Sequence, residues 1–374
     1  MTFLIVCGGS AGHINPAIAI AEEFRTKLPD SDILFVGSDK KLEKKLIPEA
    51  GFNIVNIRMT GLKRSFKPTD LLYNLNTLKN IITAKSKSKK LLETKKPDAV
   101  IGTGGSLCYP VIKMASKLKI PSYILEPNAY PGLAVKMVSG VVDNVFVTYK
   151  GFEDRYKKPE RVIYTGTPVR KGFLEVKENI GGAQQGSKQT VLSYWGSMGA
   201  ANMNNIIADV IVKNIREQKF NHIHAAGVSG GLELIKKRLQ ENGKLTSAAP
   251  VADIREYIDD MPSVMRKADL IISRAGASTI AELAATGKPA ILIPSPNVTE
   301  NHQEENAKII QAAGGAVMIL EKECTGETLY SKIVSILEDN NELEKMSLMQ
   351  KSLSVITAAS TIFDIVNKKC SENK

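Results

Sequence analysis

A chain of 374 residues is long enough for two domains with sizeable cores. Hydrophobic residues make up 43% and charged residues 24%, which fits a soluble globular protein, and no apolar run approaches the roughly twenty residues of a membrane-spanning helix. The formal net charge of +11 is concentrated between Leu62 and Lys96, where ten basic residues stand against two acidic ones.

That local field suits an anionic surface, either nucleic acid or lipid headgroups. The plainer alternative is a solvated lysine-rich helix. The N-terminus reads directly as a strand, without the basic segment and cleavage site of a secretory leader. The four cysteines (Cys7, Cys108, Cys324 and Cys370) lack metal-ligand spacing and fit a reducing cytoplasm.

In chain order, "TFLIVCG" reads as a strand, "NPAIAIAEEFRTKL" as a helix and "DILFVGS" as a second strand. "PDAVIGTGG", "CYPVIKMASKLK" and "PSYILEPN" repeat the pattern. This βαβ rhythm predicts a buried parallel sheet. A break follows near Gly166 to Lys171, and "EVKENIGGAQQGSKQ" reads as a surface loop. The rhythm then restarts with "TVLSYWGSMGAANMNNIIADVIVKNI", "FNHIHAAGV", "ADLIISRAGASTIAELAATG" and "PAILIPSP". Two doubly wound α/β domains in tandem, with a cleft between them, are the simplest reading. The boundaries fall at 1–168 and 169–352. The amphipathic C-terminal stretch, about 353–370, is expected to pack back on the first domain.

Four strand-to-helix turns are rich in small residues: Gly8 to Gly12, Gly102 to Gly105, Gly196 to Ala200, and Gly276 to Ser278. Small residues let a ligand approach the backbone, and the helix that follows offers unpaired N–H groups at its positive end. Such turns bind phosphate. None carries the Lys-Ser/Thr of a nucleoside-triphosphate P-loop, and Gly8 to His13 is not G-x-G-x-x-G. Asp39, after the second strand, keeps a dinucleotide reading open. Asp30-Ser31-Asp32 resembles a metal-binding D-x-D but reads as an exposed turn, and no His/Cys cluster suggests zinc.

His13 lies at or just before a helix N-terminus. That position disfavours the imidazolium and suits a base that takes a proton from a hydroxyl; a capping or packing role is equally open. His222 and His224 alternate on a strand and read as structural, while His302 lies in a polar loop. Thr279 to Glu282 has capping-box spacing, which favours a cap for Glu282 over a carboxylate holding a ribose diol.

At this point the chain resembles the MurG family, bacterial transferases that add N-acetylglucosamine to lipid-linked muramoyl-pentapeptide. "GGSAGHINPAIAIA", "GTGGSLCYPVIKMA", "LEPNAYPGLAVK", "TGTPVR", "WGSMGA", "YIDDM", "SRAGASTIAELAATGKPAILIPSP" and "NHQEENA" follow in family order. The resemblance implies a GT-B fold of two Rossmann-like domains. It also implies a donor, UDP-N-acetylglucosamine, held mostly on the C-terminal domain, with no cofactor and no obligatory metal. By analogy Ile258 meets the uracil, Glu282 the ribose, Gln303 the sugar hydroxyls, and Ser197 with Ala277, Ser278 and Thr279 the diphosphate. Ser10, Ala11 and Gly12 line the donor–acceptor junction, with Asn128 and Arg170 nearby, and Gly104 and Gly105 form an acceptor or diphosphate loop. His13 is the expected base.

The basic stretch 62–96 interleaves lysines with Leu71, Leu72, Leu75, Leu78, Ile81 and Ile82, which now favours peripheral docking on the cytoplasmic face of the membrane. Nothing in it resembles a nucleic-acid recognition motif. Departures from the family pattern are Ala11, Leu125, Pro127, Thr167 and Trp195; Met198 fills a variable place.

Overall fold

The computed structural model describes residues 1–61, 68–175, 188–243, 251–298 and 301–372. It divides into two units, Met1–Lys171 with Val355–Lys374, and Gly172–Ser354. Lys63, Arg64 and Lys67 of the basic stretch, and 176–187 of the polar stretch, lie outside the described residues.

The first unit is a parallel sheet of seven strands, β1 (Thr2–Val6), β2 (Asp32–Gly37), β3 (Asn53–Asn56), β4 (Ala99–Gly102), β5 (Ser122–Glu126), β6 (Asn144–Val147) and β7 (Val162–Tyr164). Their order is β3-β2-β1-β4-β5-β6-β7. Strands buried on both faces need continuous apolar runs, and Phe3 to Val6 and Ala99 to Ile101 are fully buried. The order reverses between β1 and β4, so the loops leaving these two strands open a crevice at the sheet's C-terminal edge.

On one face lie α1 (Ala11–Lys27) and α14 (Ala358–Glu372). Phe24 of α1 sits edge-on to Phe3 of β1 at 4.8 Å and to Phe363 of α14 at 5.0 Å. Burying one such ring is worth roughly 2–3 kcal/mol, and its edge-to-face contacts add about 1 kcal/mol more. This cluster ties the end of the chain to its beginning.

The second unit repeats the plan with β8 (Thr190–Tyr194), β9 (Asn221–Ala225), β10 (Ala252–Arg255), β11 (Leu270–Ser273), β12 (Ala290–Leu292) and β13 (Ala316–Met318). Their order is β10-β9-β8-β11-β12-β13, all parallel, with the reversal between β8 and β11. Its glycine turns leave those two strands, as in the first unit. Helix α7 (Ala201–Glu217) buries Met203, Ile207 and Ile211 in one core cluster with Val191 of β8.

Candidate active site

In the first unit the chain turns between β1 and α1 over Cys7 to Ser10. Gly9 has φ +98°, a conformation that side chains resist. A Cβ on Gly8 would lie 2.9 Å from Glu43 Oε1. Glu43, on α2 (Lys41–Glu49), is wholly buried. Its Oε1 accepts from the Gly9 N–H at 2.8 Å and the Ser38 hydroxyl at 2.6 Å, and its Oε2 from the Ser38 N–H at 2.5 Å. A buried carboxylate is stable only when donors surround it. Here that requirement moulds the loop.

The left-handed φ falls at Gly9, and Ala11 is the first residue of α1. An alanine is therefore admissible where the family carries a glycine. Ser10 is the exposed N-cap, and its side chain makes no cap bond.

His13 is the third residue of α1, so the helix starts earlier than the sequence pattern indicated. Its Nδ1 lies 2.9 Å from the Thr103 carbonyl. A carbonyl only accepts, so Nδ1 carries the proton and the ring's lone pair belongs to Nε2. The Thr103 hydroxyl donates back to the His13 carbonyl at 2.7 Å. Gly104, with φ +110°, lies directly under the ring, where a Cβ would come within 2.3 Å of Nδ1. A Cβ on Gly105 would lie 2.4 Å from the Gly8 carbonyl. The two glycines expected to cradle acceptor or diphosphate are thus the bed that seats the imidazole and the neighbouring loop.

Asn128 follows β5, two places from β1 in the sheet, and Arg170 follows β7, four places away. Both are half-buried. Glu126 organises the Asn128 loop: it accepts from the Asn128 N–H at 3.0 Å, the Asn128 side-chain amide at 2.9 Å and the Gly132 N–H at 2.8 Å.

In the second unit the loop after β8 is a tight turn, closed by the Gly199 N–H on the Gly196 carbonyl at 3.1 Å. Ser197 and Met198 form its tip, Ser197 half-buried and Met198 61% exposed. Trp195, where the family has glycine, is buried at the foot of the loop, 6.2 Å from the His224 ring.

The loop after β11 leads into α10 (Ala277–Thr286), whose N-cap is Gly276. Ala277, Ser278 and Thr279 are its first three residues. The capping box read from Thr279 to Glu282 is therefore absent: the helix has already begun, and Glu282 is its sixth residue, buried at 7% exposure. Glu282 lies near Tyr194, whose phenol is pushed up by burial and further by the Glu282 charge.

Ile258 is buried just beyond β10. His302 opens α11 (His302–Ala312) and does not lie in a loop. Gln303 is the next residue, and its Oε1 accepts from the Ser295 N–H at 2.9 Å. That bond engages the side-chain oxygen and leaves the amide N–H groups as the donors.

Arg274, at the end of β11, was not singled out by sequence reasoning. It donates to the Ile293 and Pro294 carbonyls at 3.0 and 3.2 Å, pairs with Glu321 at 2.6 Å and lies 5.9 Å from the Trp195 ring centroid. It fastens the exits of β8, β11 and β12 to one another. The only signal for it was a cation directly after an apolar strand.

Among the described residues no three His, Cys, Asp or Glu side chains gather as a metal site. Asp39, the residue that kept a dinucleotide open, is half-exposed and paired with Lys44 at 2.5 Å.

The chain matches known proteins over both units. The glycosyltransferase family 28 N-terminal domain matches residues 3–147 and the family 28 C-terminal domain matches residues 190–362. A protein of Acetivibrio thermocellus named UDP-N-acetylglucosamine--N-acetylmuramyl-(pentapeptide) pyrophosphoryl-undecaprenol N-acetylglucosamine transferase is 38% identical, over 100% of this chain and 99% of that one. A Bacillus cereus transferase of the same name, numbered 1, is 35% identical over 98% and 99%. Among solved structures, Acinetobacter baumannii MurG superposes with a TM-score of 0.73 at 22% identity, over 98% of this chain and 100% of that one, which supports the GT-B fold. The chain belongs to glycosyltransferase family 28, and within it to the MurG family.

Proposed function

We propose that the protein transfers N-acetylglucosamine from UDP-N-acetylglucosamine to the 4-hydroxyl of lipid-linked muramoyl-pentapeptide, in peptidoglycan synthesis. The observation that supports the chemistry is the Thr103 carbonyl on His13 Nδ1, which leaves on Nε2 the lone pair a base needs, at the sheet's switch point. Full-length relatives at 35–38% identity bear the name of this reaction.

In this reading Nε2 takes the hydroxyl proton as the oxygen attacks the anomeric carbon. Attack opposite the diphosphate inverts an α-linked donor to a β product. Negative charge grows on the departing UDP. The N-terminus of α7, Ser197 and Arg170 are the groups proposed to stabilise it. Glu282 holds the ribose, Ile258 the uracil and Gln303 the sugar hydroxyls through its amide donors. Ser278 and Thr279, in the first turn of α10, add a second helix end for the diphosphate. Transfer of labelled sugar from UDP-N-acetylglucosamine to a lipid I analogue is the test. Transfer only to a different acceptor would sink the reading.

The acceptor is lipid-linked, so we propose that the protein acts as a peripheral protein on the cytoplasmic face of the membrane. No helix among the described residues is long and apolar enough to cross it. Helix α3 (Pro68–Lys95) supports docking. Leu75, Leu78 and Ile82 are 52%, 51% and 70% exposed, spaced to lie on one face. Thr77, Ala84 and Ser88 are buried on the opposite face. Exposed Lys79, Lys89 and Lys90 share the outer face, and cations beside apolar side chains suit anionic headgroups. Changing Leu75, Leu78 and Ile82 together to Asp should weaken sedimentation with phosphatidylglycerol vesicles at least about tenfold. Transfer to a water-soluble acceptor should persist, and unaltered vesicle binding would refute the docking face.

A further inference from the structure

The second unit buries a polar chain that none of the donor contacts uses. Ser193 on β8 faces His224 on β9, in register, with His222 two residues earlier on the same strand. All three are at most 1% exposed, as is Asn204 on α7. Ser193 Oγ lies 2.8 Å from His222 Nε2 and 2.7 Å from His224 Nδ1. His224 Nε2 lies 3.2 Å from Asn204 Oδ1, and the Asn204 amide nitrogen donates to the Ala226 carbonyl at 2.8 Å.

The direction of every bond follows from one end. A backbone carbonyl only accepts, so Asn204 must turn its NH2 to Ala226 and its oxygen to His224. His224 therefore carries its proton on Nε2 and accepts at Nδ1 from the Ser193 hydroxyl. The Ser193 oxygen in turn accepts from His222 Nε2–H. The chain ends at His222 Nδ1, which has no partner among the described residues and, in this tautomer, is an acceptor. An unpaired acceptor is the cheaper group to leave buried.

The other end reaches the loop of Ser197. The Ala226 carbonyl that Asn204 holds is the atom against which Gly199 and Gly231 pack, each with a Cβ position 2.2 Å away. Gly227 presses on the Gly199 backbone in the same manner. The next residue, Val228, donates its N–H to the Ser197 carbonyl at 3.0 Å. Residues 226–228 therefore back the turn that carries Ser197.

We propose that Ser193, His224 and Asn204 are positioning residues for the donor's diphosphate: a one-way hydrogen-bond chain that fixes the 226–228 backing strip and, through it, Ser197. This rests on the reading of Ser197 as a diphosphate contact. The four buried groups are more than packing, because hydrophobic residues would fill the same volume without specifying where the Ala226 carbonyl points.

Two variants cut the chain at different links. Ser193→Ala removes the bond that holds the His224 ring behind Asn204, and so loosens Asn204 on the Ala226 carbonyl. Asn204→Asp keeps an acceptor for His224 and removes the donor to Ala226. Each should weaken UDP binding, measured by calorimetry, about tenfold, the scale of one lost buried hydrogen bond. Donor KM should rise in parallel, with kcat and acceptor KM unchanged within about twofold. Exchange of the Val228 amide with deuterium should quicken about tenfold in both. Ser193→Thr, which retains the hydroxyl, should recover most of the binding. A lowered melting temperature with unchanged UDP affinity and Val228 exchange would overturn the proposal and leave the chain as packing. Wild-type protein that fails to bind UDP would overturn the donor reading, and this proposal with it.

Discussion

Replacing His13 by alanine should lower turnover with a lipid I analogue about a thousandfold, the scale expected for loss of a general base. The affinity for UDP should be unchanged, because the residues proposed to hold it, Arg170 apart, belong to the second unit. The geometry makes this a loss of chemistry with little loss of fold. His13 is half-buried on the first turn of α1 and packs on a glycine, so truncation opens a small gap beside Gly104 without exposing the core. The Thr103 carbonyl would lose one donor.

His13→Gln sharpens the result. Glutamine can still donate to Thr103 but offers no basic nitrogen, so it should be as inactive as alanine while matching wild type in melting temperature. Single-turnover transfer with saturating donor is the measurement. Activity within about tenfold of wild type in either variant would remove His13 as the base.

Much of this site was legible in the sequence, for a physical reason. A glycine turn after an apolar run, followed by a helical pattern, is a local signal, and β1, β4, β8 and β11 all carry it. A doubly wound parallel sheet reverses its strand order once, and here the reversal falls between β1 and β4 and between β8 and β11, at those turns. The strands β3, β6, β7, β10 and β13 escaped notice: three or four residues are too few to show a period, and β4 and β11, equally short, stand out only through the glycine turns that follow them.

The partners that orient the site were not legible. Glu43 sits in "KKLEKKLIPE", where it reads as one more exposed charge of a lysine-rich helix. Only the fold reveals that it points inward at Gly9 and Ser38. Thr103 acts on His13 through a backbone carbonyl, which no side-chain pattern can announce. The reading of Glu282 failed for a related reason. A capping-box spacing states which residues could pair, but only the position of Gly276 decides where the helix starts.

The buried histidines make a second large effect measurable. Burial pushes His222 down to about 4 and carries His224 well below its ordinary value, with repulsion from His222 adding to the latter. Among the described residues the rings contact Ser193, Asn204, Phe220 and Trp195, none of them charged. The folded protein therefore keeps both rings neutral in a range where the unfolded chain binds protons. Stability is fully present above pH 6.5, the ordinary histidine value, and drains away as the pH falls from there toward 4.

For His222 alone the loss between pH 7 and pH 4.5 is about 2.5 kcal/mol. The chain's single tryptophan, Trp195, stands 6.2 Å from the His224 ring and reports unfolding of this unit directly. Urea midpoints followed by its fluorescence should fall steeply over this window. In His222→Gln the side-chain amide can still donate to Ser193 but binds no proton, and the fall should be smaller by about 2.5 kcal/mol. Parallel curves for the two proteins would show that His222 titrates normally and that its burial costs nothing. A shallower curve for the variant would show that the acid limit of this unit lies in the strand pair beneath the Ser197 turn.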